Sequence, residues 1–270
     1  MTVLNTVLLK EKLENLDVKN IEQDEAFQLA LEMMNHIGDT DPVLRDKLIY
    51  STMFKMIRGK MFTENQLEQL LLLSVDESHL FNGLGEEGMD SVFTRTFSVL
   101  ITALAVSIHN EHPFLSETVF HNVKEKVLSY ARGENDIRGY VDEKGWAHSV
   151  AHMADCLDEL AINHATTKAD LTDILHIAQL KLMEPRKVFD TEEDERMVTA
   201  VCAVMKRGLH TREELLTWLE SWSDYKKTED YNQNYTLKIN TKHFLRSLYF
   251  RLDGTYAVER EDIEKVLKLL

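Results

Sequence analysis

The sequence predicts an all-α fold of stacked antiparallel helix pairs, and three observations carry that expectation. Among 270 residues there are only 3 Pro and 10 Gly, too few turn formers for the short, often reversed strands of a β-sandwich. Helix start and stop signals recur from end to end, with apolar residues returning every three or four positions between them. No alternating apolar and polar run of strand type competes with them. About a dozen helices in one domain over 1–270, an α-solenoid with HEAT-like curvature, is the architecture expected.

Each helix is placed by the chemistry of its ends. Residues 1–20 mix apolar side chains with Lys10, Glu11, Lys12 and Glu14, so they lack the unbroken apolar core of a signal peptide. Asn20-Ile21-Glu22-Gln23 opens a helix with Phe27, Ala30, Leu31, Met34 and Ile37 on one face, closed by Gly38. Asp41-Pro42 opens the next, running to Gly59, with Pro where a missing N–H costs nothing. Thr63 with Gln66 and Thr211 with Glu214 are capping boxes for helices over 67–75 and 215–222. Further helices are expected at 89–110, 117–132, 145–163, 170–184, 192–206, 239–251 and 259–270. Residues 76–88 and 223–237 read as long loops.

Composition narrows the function. The formal net charge is −15, from 31 Lys plus Arg against 46 Asp plus Glu, which argues against nucleic acid as a partner, because phosphate backbones are held by clustered cations. The longest apolar stretch, 97–108, falls short of the roughly 20 residues that span a bilayer and reads as a buried helix rather than a membrane segment. Cys156 and Cys202 are too few for a disulfide framework; they suit a reducing compartment, and a cytoplasmic location is expected.

One segment carries more chemistry than the rest. On a helix over 145–163, His148, His152, Asp155 and Glu159 fall on one side, while Trp146, Val150, Met153, Leu157 and Leu160 take the other. Two imidazoles four apart with a carboxylate a turn later can bind a metal ion or form an acid–base site. The position after the first histidine is Ser149, so the glutamate of H-E-x-x-H metalloproteases is missing. The alternative is a buried hydrogen-bonded layer in which Arg138 neutralises Asp155.

Other motifs are weaker. Gly83-Leu84-Gly85-Glu86-Glu87-Gly88 matches G-x-G-x-x-G, but a helix pattern precedes it where the dinucleotide fold needs a strand, and two glutamates repel phosphate. Arg95 lies inside the apolar helix that follows. Its guanidinium needs an acceptor: Asp90, Asp142, Asp155 or an anionic ligand. His109 and His112 sit at a helix end, and the acidic run 190–195 sits at a helix start, both favoured by the helix dipole. Lys238, Lys242 and Arg246 recur every four residues beside Phe244, Tyr249 and Phe250. They form an exposed face over a core face, or a small docking patch for an acidic partner. No P-loop, Gly-x-Ser-x-Gly elbow or paired-Cys zinc spacing occurs.

Three blocks resemble the DUF2785 family, bacterial proteins of unknown function: Gly85-Glu86 with 90–98, Arg138-Gly139-Tyr140 leading into 145–155, and Glu195-Arg196. The resemblance implies an all-helical protein and no mechanism. It directs attention to Arg95, Arg138, Trp146, His148, His152 and Asp155.

Two functions are expected from these readings. One is a non-enzymatic module that binds a protein. The other is a ligand-binding protein or enzyme with His148, His152 and Asp155 in a cleft, Arg95 and Arg138 on an anionic group, and a divalent metal as a further option. Neither fixes an oligomeric state.

Overall fold

The computed structural model describes residues 5–224 and 228–270. Twelve α-helices and one short hairpin lie among them, so the chain is all-α. Two compact units divide it, Met1–Cys156 and Leu157–Leu270.

The first unit contains α1 (Thr6–Glu14), α2 (Gln23–Asn35), α3 (Ser51–Arg58), α4 (Glu64–Ser74), α5 (Ser91–Glu111) and α6 (Glu117–Gly133), then β1 (Tyr140–Val141), β2 (Gly145–Trp146) and the start of α7 (Ser149–Ile162). Its core helix is α5, packed against α3 and α4. By length and composition α5 passes for a membrane span. A helix that is apolar all round also fits a protein interior, and here Phe93, Ile101 and Val106 have no exposed surface. The expected capping box at Thr63 is present, with Gln66 N donating to Thr63 Oγ1 and Thr63 N to Gln66 Oε1.

Three local expectations are corrected in this unit. The helix expected over 41–59 is wound as a π-helix over Val43–Tyr50 before α3 begins. Gly38 does not close α2, which ends at Asn35. A Cβ on Gly38 would stand 2.7 Å from Thr94 Cα, so the glycine permits a backbone to approach α5. The helix expected from 145 starts at Ser149, because residues 140–146 pair as antiparallel strands, Tyr140 opposite Trp146 and Val141 opposite Gly145. Residues 142–144 make the reversal between them, with Glu143 at φ 65°, and Gly145 opens β2 at φ 76°.

The second unit holds the rest of α7, α8 (Lys168–Leu182), α9 (Glu193–Lys206), α10 (Arg212–Ser221), α11 (Tyr231–Arg251) and α12 (Ala257–Leu269). Helix α9 packs on α8 and α11, and α10 on α12. Capping boxes start α10 at Thr211 and α8 at Thr167. Helix α11 starts at Tyr231, ahead of the expected 239, with Asp230 as its N-cap. Of the loop expected at 223–237, residues 231–237 are therefore helical and 225–227 lie outside the described residues. The acidic run is a helix start as expected: Glu193, 1% exposed, accepts from Thr191 N and Oγ1.

Candidate functional site

The hairpin and the first turns of α7 place the candidate residues, and a buried arginine fixes the hairpin. Arg45, on the π-helical turn, has no exposed surface. Its Nη2 donates to Lys144 O at 2.7 Å and Trp146 O at 3.3 Å, and its Nη1 donates to Asp39 O at 2.7 Å. The guanidinium lies over the rings of Phe93 and Phe97, 4.3 and 4.8 Å from their centroids, and its Nε stands 2.8 Å from Asp46 Oδ1. Cation–π contacts gain strength when desolvated. Burial lowers the Arg45 pKa, opposed by Asp46, and burial raises the Asp46 pKa, opposed by Arg45. Nothing in the spacing of Arg45 marks it; a lone arginine among helical residues looks solvated.

Arg95 is committed elsewhere than expected. Its Nε and Nη2 donate to the two oxygens of Glu134 at 2.6 and 2.9 Å. The remaining donors go to Asn82 O, Gly83 O, Glu86 O and Ser91 Oγ. Arg95 is completely buried and Glu134 2% exposed. Burial works against the Arg95 charge, but the bond to Glu134 outweighs it and raises the pKa. The glycine-rich loop therefore encloses a cation through its carbonyls, the reverse of a phosphate cradle. Asp90, Asp142 and Asp155 were the acceptors expected from sequence; Glu134 was missed because it follows a different helix.

Arg138 extends the same network. It clasps Asp136, Nε to Oδ1 at 2.9 Å and Nη2 to Oδ2 at 2.6 Å, and reaches Met89 O. Asp136, not Asp155, is thus the carboxylate it holds. Asp136 N donates to Glu134 Oε1, and Gly88 N donates to Asp136 Oδ2. Burial raises the Asp136 pKa, but the Arg138 and amide hydrogen bonds prevail and hold it below the usual carboxylate range. Ser149 Oγ donates to Asp136 O, and Ala147 N and His148 N donate to Gly139 O. The start of α7 is thereby tied back to the strand entering the hairpin.

The rings form a ladder across this frame. Tyr140 meets Trp146 edge-on at 4.9 Å; Trp146 stacks on His148 at 4.1 Å. His148 lies 5.4 Å from His152, which meets Phe97 edge-on at 5.2 Å, and Phe97 meets Tyr50 at 6.1 Å. Its outer end is open, with Tyr140 55% and Trp146 38% exposed, whereas His152 is 6% exposed. Trp146 and His148, expected on opposite sides of one helix, come together because Trp146 ends β2 and the left-handed backbone of His148, φ 46°, turns its ring back onto the indole.

His148 precedes α7 with φ 46°, and its ring turns onto Trp146. Asp155 is half-buried farther along α7. Among the described residues no three His, Cys, Asp or Glu side chains are grouped to hold a metal ion. Of the expected set, His148 and His152 stand 5.4 Å apart, centroid to centroid, with Asp155 a turn farther along α7. Other histidines serve the frame: His109 Nδ1 accepts from Phe114 N and Leu115 N, and His112 Nε2 stands 2.7 Å from Lys60 Nζ. Two cavities in this unit, of about 380 and 160 Å³, are lined by other residues, among them Asp39 and His79 in the first and Phe62 and His112 in the second.

A family model described as protein of unknown function, DUF2785, matches residues 80–250. No curated protein and no solved structure matches the chain.

Proposed function

The chain belongs to the DUF2785 family, and from that premise we propose that it is a non-enzymatic protein-binding module whose first unit presents the Tyr140 and Trp146 hairpin to a partner. The observation that carries this reading is the pairing of exposure with rigidity. The two rings are open to solvent, yet the backbone beneath them is held by Arg45 and by the Arg138–Asp136 clasp. Aromatic side chains fixed before binding lose little entropy on docking and are enriched among residues that dominate binding energy.

The catalytic alternative has less support. An enzyme of the expected kind needs Arg95 and Arg138 free for an anion, and both are spent on carboxylates. Its general base needs access; His152 is buried, and the half-buried His148 has its ring stacked on Trp146. The stacked-helix-pair reading draws support from packing between alternate helices, α3 with α5, α9 with α11 and α10 with α12, a relation that helical repeats produce. Cys156 and Cys202, buried and in no disulfide, suit a reducing compartment such as the cytoplasm.

The test is quantitative affinity capture from the native host with wild type, Trp146→Ala and Tyr140→Ala as baits. A partner enriched by wild type and lost with Trp146→Ala is expected. Identical captured sets for all three baits would sink the reading.

A further inference from the structure

Helix α11 carries a second surface, of opposite electrostatic character to the rest of the chain. At 100° per residue Tyr231, Tyr235, Lys238, Lys242, Arg246 and Tyr249 fall within about 80° of arc. The buried side chains of the helix, including Leu237, Phe244 and Leu248, lie on another side. Tyr231 and Tyr235 stack on each other at 6.3 Å and are 77% and 54% exposed. At the far end the Arg260 guanidinium of α12 lies 4.5 Å over the Tyr249 ring.

Among the described residues these cations have no ion pair, and a comparison within the helix makes the point. Arg251, on the edge facing α9, pairs with Glu195 at 3.2 Å and donates to Thr199 Oγ1. Ser247, on the same edge, donates to Asp194. Among the described residues no carboxylate pairs with Lys238, Lys242 or Arg246. Lys242 is held below the ordinary lysine pKa, by burial first and then by Lys238 and Arg246. A chain with 46 acidic residues against 31 basic ones has ample carboxylates for such a stripe, and like charges four apart destabilise a helix.

We propose that this face of α11 is a docking surface for an acidic segment of a partner protein, with Lys238, Lys242 and Arg246 meeting its carboxylates and Tyr231 and Tyr235 its apolar side chains. From Tyr231 to Tyr249 the stripe runs about 27 Å at 1.5 Å per residue, the length of an 18-residue helix or about eight extended residues. The size favours a peptide over nucleic acid. Charges beyond about 8 Å are screened at physiological salt, so a short segment feels the local cations. A long polyanion also meets the acidic remainder of a chain with net charge −15. The surface lies wholly within the second unit and does not depend on the hairpin.

Fluorescence anisotropy on the full chain tests this with a labelled helix-forming peptide bearing Glu at i and i+4 and Leu between. The same peptide with Lys for Glu, single-stranded DNA and phosphatidylglycerol vesicles are the other arms. Variants are Lys242→Glu/Arg246→Glu, Lys238→Gln/Lys242→Gln and Tyr235→Ala, each checked for unchanged helicity and thermal unfolding. The acidic peptide is expected to bind, to weaken with salt, and to lose at least about tenfold in affinity with the reversed variant and about threefold with Tyr235→Ala. The proposal is overturned if the acidic peptide fails to bind at low salt or binds the folded variants equally. It is equally overturned if DNA or vesicles bind more tightly, or if self-association abolished by the same variants assigns the face to a second copy.

Discussion

Trp146 and His148 lie nearly parallel, 4.1 Å between ring centroids and 10° between planes, with His148 in the left-handed region at φ 46°. That backbone turn aims the imidazole at the indole. Indole emission is quenched by a contacting imidazole, so His148→Gln should brighten Trp146. The check compares the wild type minus Trp146→Phe difference with the His148→Gln minus His148→Gln/Trp146→Phe difference, each of which removes the background of the buried Trp218 and Trp222. Equal Trp146 emission with and without His148 would mean that the rings do not stack in solution.

The Arg95–Glu134 pair is inaccessible from both sides. Removing one member of a buried pair leaves an uncompensated charge, a loss of about 3–5 kcal/mol. Glu134→Ala should show that loss in urea unfolding, with a reduced midpoint. A change under about 1 kcal/mol would contradict the burial.

Gly145→Ala tests how closely the hairpin sits on the π-helical turn. A Cβ there would meet Pro42 Cβ at 2.7 Å and Arg45 Nη2 at 3.2 Å, at φ 76°. Positive φ alone costs a non-glycine residue of order 1–3 kcal/mol. The variant should unfold at lower temperature and lose protection of the Ala147 and His148 amides in hydrogen exchange. Unaltered protection would place the hairpin away from Arg45.

His152→Ala should cost about 1–3 kcal/mol, since the ring is buried edge-on against Phe97. Chemical denaturation measures it. A near-zero value would mean that His152 lines an open site, which would favour the catalytic alternative.

His109 sets a pH dependence whose sign follows from its surroundings. Burial lowers its pKa, and Nδ1 accepts two backbone N–H bonds, which requires the neutral ring. The unfolded chain then binds more protons between the depressed folded pKa and about 6.5, so stability falls as pH drops below about 6.5. His210, lowered chiefly by burial, acts in the same direction. Stability measured from pH 8 to 5 should decline less in His109→Gln than in wild type. Parallel curves would remove His109 from the titration.

Much of the helical order was legible because it rests on local chemistry. A threonine with Gln or Glu three residues on satisfies N-terminal amides whatever packs nearby, and Thr63 and Thr211 do so. Apolar spacing foretold the buried faces of α2 and α5. The hairpin escaped notice because two-residue strands leave no alternation to read, and the Tyr140–Trp146 pairing spans a turn that helical periodicity absorbs.

The sequence by itself determined the all-α class, the approximate helix ends and the residues that gather near the start of α7, since caps, spacing and charge act within a few positions of the chain. Only the tertiary structure decided what those residues do. Glu134 stands 39 positions from Arg95, and Arg45 about 100 from the carbonyls it holds. A buried guanidinium takes the acceptors that folding brings within reach, and that choice is made by burial across distant segments, where desolvation makes every unpaired donor costly.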